Sequence, residues 1–163
     1  MRRVELEAVI PDTDAGTVFD NVVRFDRYPE LAPHVESATV HATWPEKTGS
    51  SSWELHFRSG LLRWQEDDTF LREELRIEFE QSDGDFDSFS GAWELAQDGA
   101  DCRLRFHADF DFGIVSLEGI LDPIAERVIK ETVAWAVSGM FTGVSFTGDL
   151  ALAPAPQGAA AVD

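Results

Sequence analysis

The chain has 163 residues, enough for one domain with a sizeable core, and 44% of them are apolar, which excludes a disordered chain. Asp and Glu number 31 against 13 Lys and Arg, a formal charge of −18, so phosphate backbones and anionic lipid headgroups are repelled. Nucleic acid and membrane surfaces are therefore poor partners, whereas a basic protein partner or a second copy of the chain stays open.

The first element expected is a half-buried strand, in which Val4, Leu6, Ala8 and Ile10 alternate with Glu5 and Glu7. Pro11 ends it, and the cap-type residues Asp12, Thr13 and Asp14 precede Val18, Phe19, Val22 and Val23 at helical spacing. Tyr28-Pro29-Glu30-Leu31 reads as a second short helix closed by Pro33. Alternation resumes at Ala38, Val40, Ala42 and Trp44, then at Trp53, Leu55 and Phe57. Ser59-Gly60 is a turn, after which Leu62 and Trp64 open a strand that runs through Glu66 and Asp68. Leu75, Ile77 and Phe79 form the next strand, and Phe89, Gly91, Trp93 and Leu95 the one after it. Leu104, Phe106, Ala108, Phe110 and Phe112 alternate with charged residues in the clearest two-faced run of the chain. The period then changes, and apolar residues at helical spacing predict one long helix over 117–141, with Pro123 in its first turn.

These elements predict an α+β fold with one domain over 1–146 and a disordered tail over 147–163. Strands at this spacing, joined by turns, form an antiparallel meander. A helix about 10 Å across covers a bent seven-stranded sheet incompletely, so leftover space is expected between them. Trp53, Leu55, Phe57, Trp64, Ile77, Phe79, Trp93, Phe106 and Phe110 share the inward parity, and Trp135 joins them from the helix. Such residues either fill a core or wall a cavity for a flat hydrophobic guest.

This order of elements resembles the helix-grip fold of the START-like (SRPBCC) superfamily, in particular its polyketide cyclases and coenzyme Q-binding proteins. The resemblance spans residues 3–142. It rests on Val18-Phe19 with Phe25-Asp26-Arg27-Tyr28-Pro29-Glu30-Leu31, on Gly84-Asp85-Phe86 with Phe89-Ser90-Gly91-Ala92-Trp93-Glu94-Leu95, and on Phe106-His107-Ala108-Asp109-Phe110-Asp111-Phe112 with Leu121-Asp122-Pro123-Ile124-Ala125-Glu126-Arg127. It implies a hydrophobic small-molecule ligand, with Trp53, Phe57, Trp64, Phe79, Trp93, Phe106, Phe110 and Trp135 as binding residues. One fold hosts binders, carriers and enzymes. Two readings therefore stand: cyclisation or aromatisation of a polyketide-type molecule, and non-catalytic carriage or sequestration of a lipid, quinone or natural product.

The candidate for chemistry is Glu66, which shares the parity of Trp64. A carboxyl in an apolar pocket has a raised pKa and can serve as general acid or base. Flanked by Gln65, Asp67 and Asp68, it fits a solvated rim acid better, because buried carboxylates are uncommon. Aromatase/cyclases of the tetracenomycin type carry a serine and an arginine after the matching tryptophan; here Glu66 and Asp68 occupy those alternating positions, and Arg76 falls on the outward parity. No metal or cofactor is expected, because metal-ligand spacings and glycine-rich phosphate loops are missing. The lone Cys102 allows no internal disulfide, the N-terminus has no signal-peptide apolar run, and no stretch is long enough to span a bilayer. A cytoplasmic protein is the resulting expectation.

Overall fold

The computed structural model describes residues 1–147; the tail expected beyond that point lies outside the described residues. Strand β1 (Arg2–Ile10) leads to helix α1 (Ala15–Val22), a 3-10 turn (Phe25–Arg27) and the short helix α2 (Tyr28–Leu31). Six strands follow: β2 (Val35–Ala42), β3 (Thr48–Phe57), β4 (Gly60–Leu71), β5 (Arg76–Gly84), β6 (Ser88–Asp98) and β7 (Asp101–Asp111). Helix α3 (Glu118–Met140) and a two-residue strand β8 (Ser145–Phe146) complete the order. The strands form one sheet in the order β2-β3-β4-β5-β6-β7-β1-β8, with antiparallel pairing throughout. The fold is therefore the helix-grip α+β arrangement, with eight strands in place of the seven expected. The extra strand pairs Ser145 and Phe146 with Val9 and Ala8, too short a run for any periodicity to announce.

The alternation sets the inner face. In β1, Val4, Leu6, Ala8 and Ile10 are buried while Arg3, Glu5 and Glu7 face outward, and β7 repeats the pattern from Cys102 to Phe110. Helix α3 lays Ala125, Val128, Ile129, Thr132, Val133, Ala136 and Val137 against this face at helical spacing. Asp14 caps α1 by accepting from the Thr17 amide at 3.0 Å, which satisfies one of the helix's free N–H groups.

Three local readings are corrected by the fold. Trp44 lies beyond the end of β2, where a cis bond to Pro45 turns the chain, and its ring meets Phe19 edge-on. Leu75 does not start β5; it sits in the left-handed conformation (φ 55°) after the 3-10 turn Arg72–Glu74. Pro123 falls beyond the first turn of α3, because the helix starts at Glu118.

Candidate functional site

A cavity of about 50 Å³ lies between the sheet and α3. Its sheet walls are Trp53 and Leu55 of β3, Trp64 and Glu66 of β4, Phe79 of β5, Phe89 and Trp93 of β6, and Phe106 of β7. Ile129, Thr132 and Val133 face it from α3, and Phe25 and Tyr28 close it from the segment after α1. The volume holds about three or four waters, whereas a single aromatic ring occupies a cavity of about 150 Å³. The open space expected between sheet and helix is thus mostly filled by the protein's own rings. Trp53 and Trp64 stack at 6.0 Å between centroids, Phe79 stacks on Phe106 at 5.8 Å, and Trp93 meets Phe106 edge-on at 4.9 Å.

Trp53, Trp64, Glu66, Phe79, Trp93 and Phe106, all expected at a site, stand at this wall. Phe57, Phe110 and Trp135 do not. Phe57 is only part-buried and packs on Phe112. Phe110 is fully buried among Phe86 and Phe112. Trp135 packs on His34 at a 32° tilt, 4.7 Å between ring centroids. Parity gives the face of a strand but not the depth along it, and these residues lie beyond the cavity's reach. Phe25 and Tyr28 fall in a 3-10 turn and a four-residue helix, too short for periodicity to show which side chains turn inward, whereas the 3.6-residue period of α3 puts Ile129 and Val133 on one face.

Glu66 is no rim acid: it is 4% exposed, and Asp68 behind it is 1% exposed. The strand pairing explains their depth. Ser51 lies opposite Glu66, and Trp53 opposite Trp64, so both acids fall beneath the indoles on the inner face. A register shift in the β4–β5 pairing falls between Gln65 and Glu66; such bulges re-aim side chains. Gly84 permits the close crossing beside it, since a Cβ there would meet Trp64 Cα at 2.6 Å.

A chain of hydrogen bonds holds the acids. Trp64 Nε1 donates to Glu66 Oε1 at 2.8 Å. Trp53 Nε1 donates to Ser51 Oγ at 3.0 Å, and Ser51 Oγ donates to Asp68 Oδ2 at 2.8 Å. Asp68 Oδ1, also buried, has no hydrogen-bond partner among the described residues. Burial, then the bond to Asp68 and its charge, hold Glu66 well above the usual carboxylate range. Burial also raises Asp68, against the lowering effect of its bonds to Glu66 and Ser51. Among the described residues no Lys, Arg or His lines the cavity.

Other titratable groups do not join this pair. Tyr28 donates its hydroxyl to the Val22 carbonyl at 2.8 Å, and burial, followed by the charges of Glu66 and Asp68, raises its pKa well above the usual value. Cys102 lies buried elsewhere, its thiol pushed up to about 11 by burial. Among the described residues no cluster of His, Cys, Asp or Glu is placed to hold a metal ion, and no helix is long and apolar enough to cross a membrane.

A family described as polyketide cyclase / dehydrase and lipid transport matches residues 12–135. The chain belongs to this family. Its structure is similar to the TTHA0849 protein of Thermus thermophilus, with 25% identity and a TM-score of 0.74, over 85% of this chain and 94% of that one. It is also similar to the Zhui aromatase/cyclase of Streptomyces sp. R1128, at 16% identity and a TM-score of 0.70, over 85% and 92% of the two chains. A START superfamily protein of Mycobacterium smegmatis aligns equally well, at 16% identity and a TM-score of 0.70, over 85% and 96%. No curated protein matches the sequence.

Proposed function

We propose that the protein takes a hydrophobic aromatic or polyketide-type molecule between the sheet and α3, and that Glu66 and Asp68 move protons on it without a cofactor. The observation that carries this reading is Glu66, a buried acid at the wall of an apolar cavity, with the buried Asp68 behind it and, among the described residues, no cation at that wall. Buried carboxyls destabilise a fold unless they are paired, and such groups concentrate where they are used. Membership in a family named for cyclases, dehydrases and lipid transport supports the same reading.

The pair suits reactions that take one proton and return one. In an enolisation, Glu66 accepts the proton from carbon next to a carbonyl; the C–H electrons become the new double bond. The proton then returns through Glu66 to the carbonyl oxygen. In loss of water, the same two steps remove the carbon-bound proton and protonate the departing hydroxyl. Each sequence leaves the pair as it began, and atoms balance without oxidant or reductant. Ring closure is helped by walls that hold the chain folded.

Uptake requires rings to move. Phe25 and Tyr28 stand on short helical segments, the part of the wall with the fewest regular backbone bonds, and such segments open most readily. The absence of a basic side chain to polarise a carbonyl favours a second reading, a carrier that leaves its guest unchanged.

Native mass spectrometry of protein from its own cell identifies the guest. Incubation of that guest with wild type and Glu66→Gln in deuterated water then separates the readings. Deuterium at carbon or a new skeleton, lost in Glu66→Gln, is the expected result. Recovery of unlabelled, unchanged compound leaves the carrier.

A further inference from the structure

We propose that Trp93 anchors the guest: its indole N–H donates to a carbonyl oxygen of the bound molecule and so fixes which carbon faces Glu66. This rests on the reading above and deepens it, naming a specificity-determining side chain and the group on the guest that it recognises.

Six side chains at the cavity wall carry a polar atom: Tyr28, Trp53, Trp64, Glu66, Trp93 and Thr132. Four of them already donate within the protein. Tyr28 and Thr132 give their hydroxyl protons to the carbonyls of Val22 at 2.8 Å and Val128 at 2.7 Å. Trp53 Nε1 donates to Ser51 and Trp64 Nε1 to Glu66. Trp93 differs. It is 4% exposed, and its N–H meets no acceptor among the described residues. Nor is that N–H sealed off as Asp68 Oδ1 is; the space open to it is the cavity that its ring lines. A buried indole ordinarily finds a partner for its N–H, and one left without a partner costs free energy until something accepts from it. A guest oxygen placed there meets that need, and a plain hydrocarbon does not. Edge-on contacts with Phe106 at 4.9 Å and Tyr28 at 6.4 Å hold the ring in direction, so the donor is set before any guest arrives.

The strand pairing separates this donor from the acid. Trp93 on β6 lies opposite Ile77 on β5, and Ile77 lies opposite Phe70 on β4, so Trp93 is level with Phe70 and not with Glu66. Trp93 and Glu66 therefore address different atoms of one guest. A poly-β-ketone has a carbonyl at every second carbon, so one carbonyl can rest on Trp93 while the carbon beside another meets Glu66. Sliding the chain by one carbonyl unit changes which carbon loses its proton and hence which ring closes. The anchor sets that register, and the indole keeps its own proton throughout.

The test uses two near-isosteric probes, acetophenone and ethylbenzene, titrated calorimetrically into the whole protein and into Trp93→Phe. In wild type the ketone should bind about five-fold more tightly, the worth of one neutral hydrogen bond. In Trp93→Phe that advantage should vanish, while ethylbenzene binding reports any change in the shape of the cavity. A second readout needs no variant and stands alone should Trp93→Phe fail to fold. In protein with isotope-labelled tryptophan, the Trp93 indole N–H resonance, identified by Overhauser contacts to the Phe106 ring, should move downfield with acetophenone and not with ethylbenzene. A ketone preference that survives in Trp93→Phe assigns the donor to another group, Glu66 included, and overturns this inference alone. Equal binding of the two probes, or an indole signal that answers both alike, does the same. If neither probe binds, the hydrophobic-guest reading falls and the anchor with it.

Discussion

The two faces of the sheet treat charge in opposite ways. On the outer face acids meet arginines: Arg3 forms a two-pronged pair with Asp109, Arg105 holds Glu7, and Arg76 bridges Glu78 and Glu94. On the inner face Glu66 takes an indole donor and Asp68 a serine hydroxyl, and among the described residues no cation lines the cavity beside them. Outer pairs are solvated and screened and contribute little to stability. An inner pair is expensive to bury. The difference also sets opposite pH dependences. Arginine partners hold Glu7 and Asp109 below the usual carboxylate range. Their contribution is present at neutral pH and is lost as pH falls through those lowered values. The inner acids are raised, so their contribution is greatest below the ordinary carboxylate range, about pH 4, and is lost as pH rises through the pair's own titration.

The largest effect should come from hollowing the inner face. Phe106→Ala removes a ring that touches both Phe79 and Trp93, and should lower unfolding free energy by about 3–5 kcal/mol in urea melts. Next is Glu66→Gln, which keeps an oxygen for Trp64 Nε1 and an N–H for Asp68 but reduces the pair to one titratable group. At pH 8 this variant should be more stable than wild type, by about 1–4 kcal/mol, and the gain should vanish below about pH 4; a gain that persists in acid would break the contrast between the faces. Ser51→Ala strips Asp68 Oδ2 of its hydroxyl donor and Trp53 Nε1 of its acceptor, and should destabilise by about 1–3 kcal/mol. The smallest effect belongs to the outer face: Arg3→Ala and Arg105→Ala should leave the urea midpoint at pH 7 unmoved within error.

The same contrast explains what was legible before the fold was known. Period-2 alternation gave the sheet, its inner face and the shared parity of Trp64, Glu66 and Asp68, because side-chain direction in a strand depends on sequence alone. It could not give depth. Glu66 between Gln65 and Asp67 looks solvated, and only the pairing of Ser51 opposite it, with indoles stacked above, removes it from water. For the same reason Phe57 and Phe110 share the right face and miss the cavity. The wall residues Phe25 and Tyr28 stand on two short helical turns whose position depends on tertiary packing. The size of the cavity was beyond reach too, since the aromatic residues that predict a hollow are the ones that fill it.

The indole pair has one more consequence. Trp53 and Trp64 lie nearly parallel, 7° apart, and each is tied to a different carboxyl, one directly and one through a serine. Two transition dipoles held so close should couple, and a charge beside either ring displaces its excited-state energy. The two rings are therefore a built-in optical sensor, whose exciton circular dichroism and emission colour should report a change of charge at the acids without any added label.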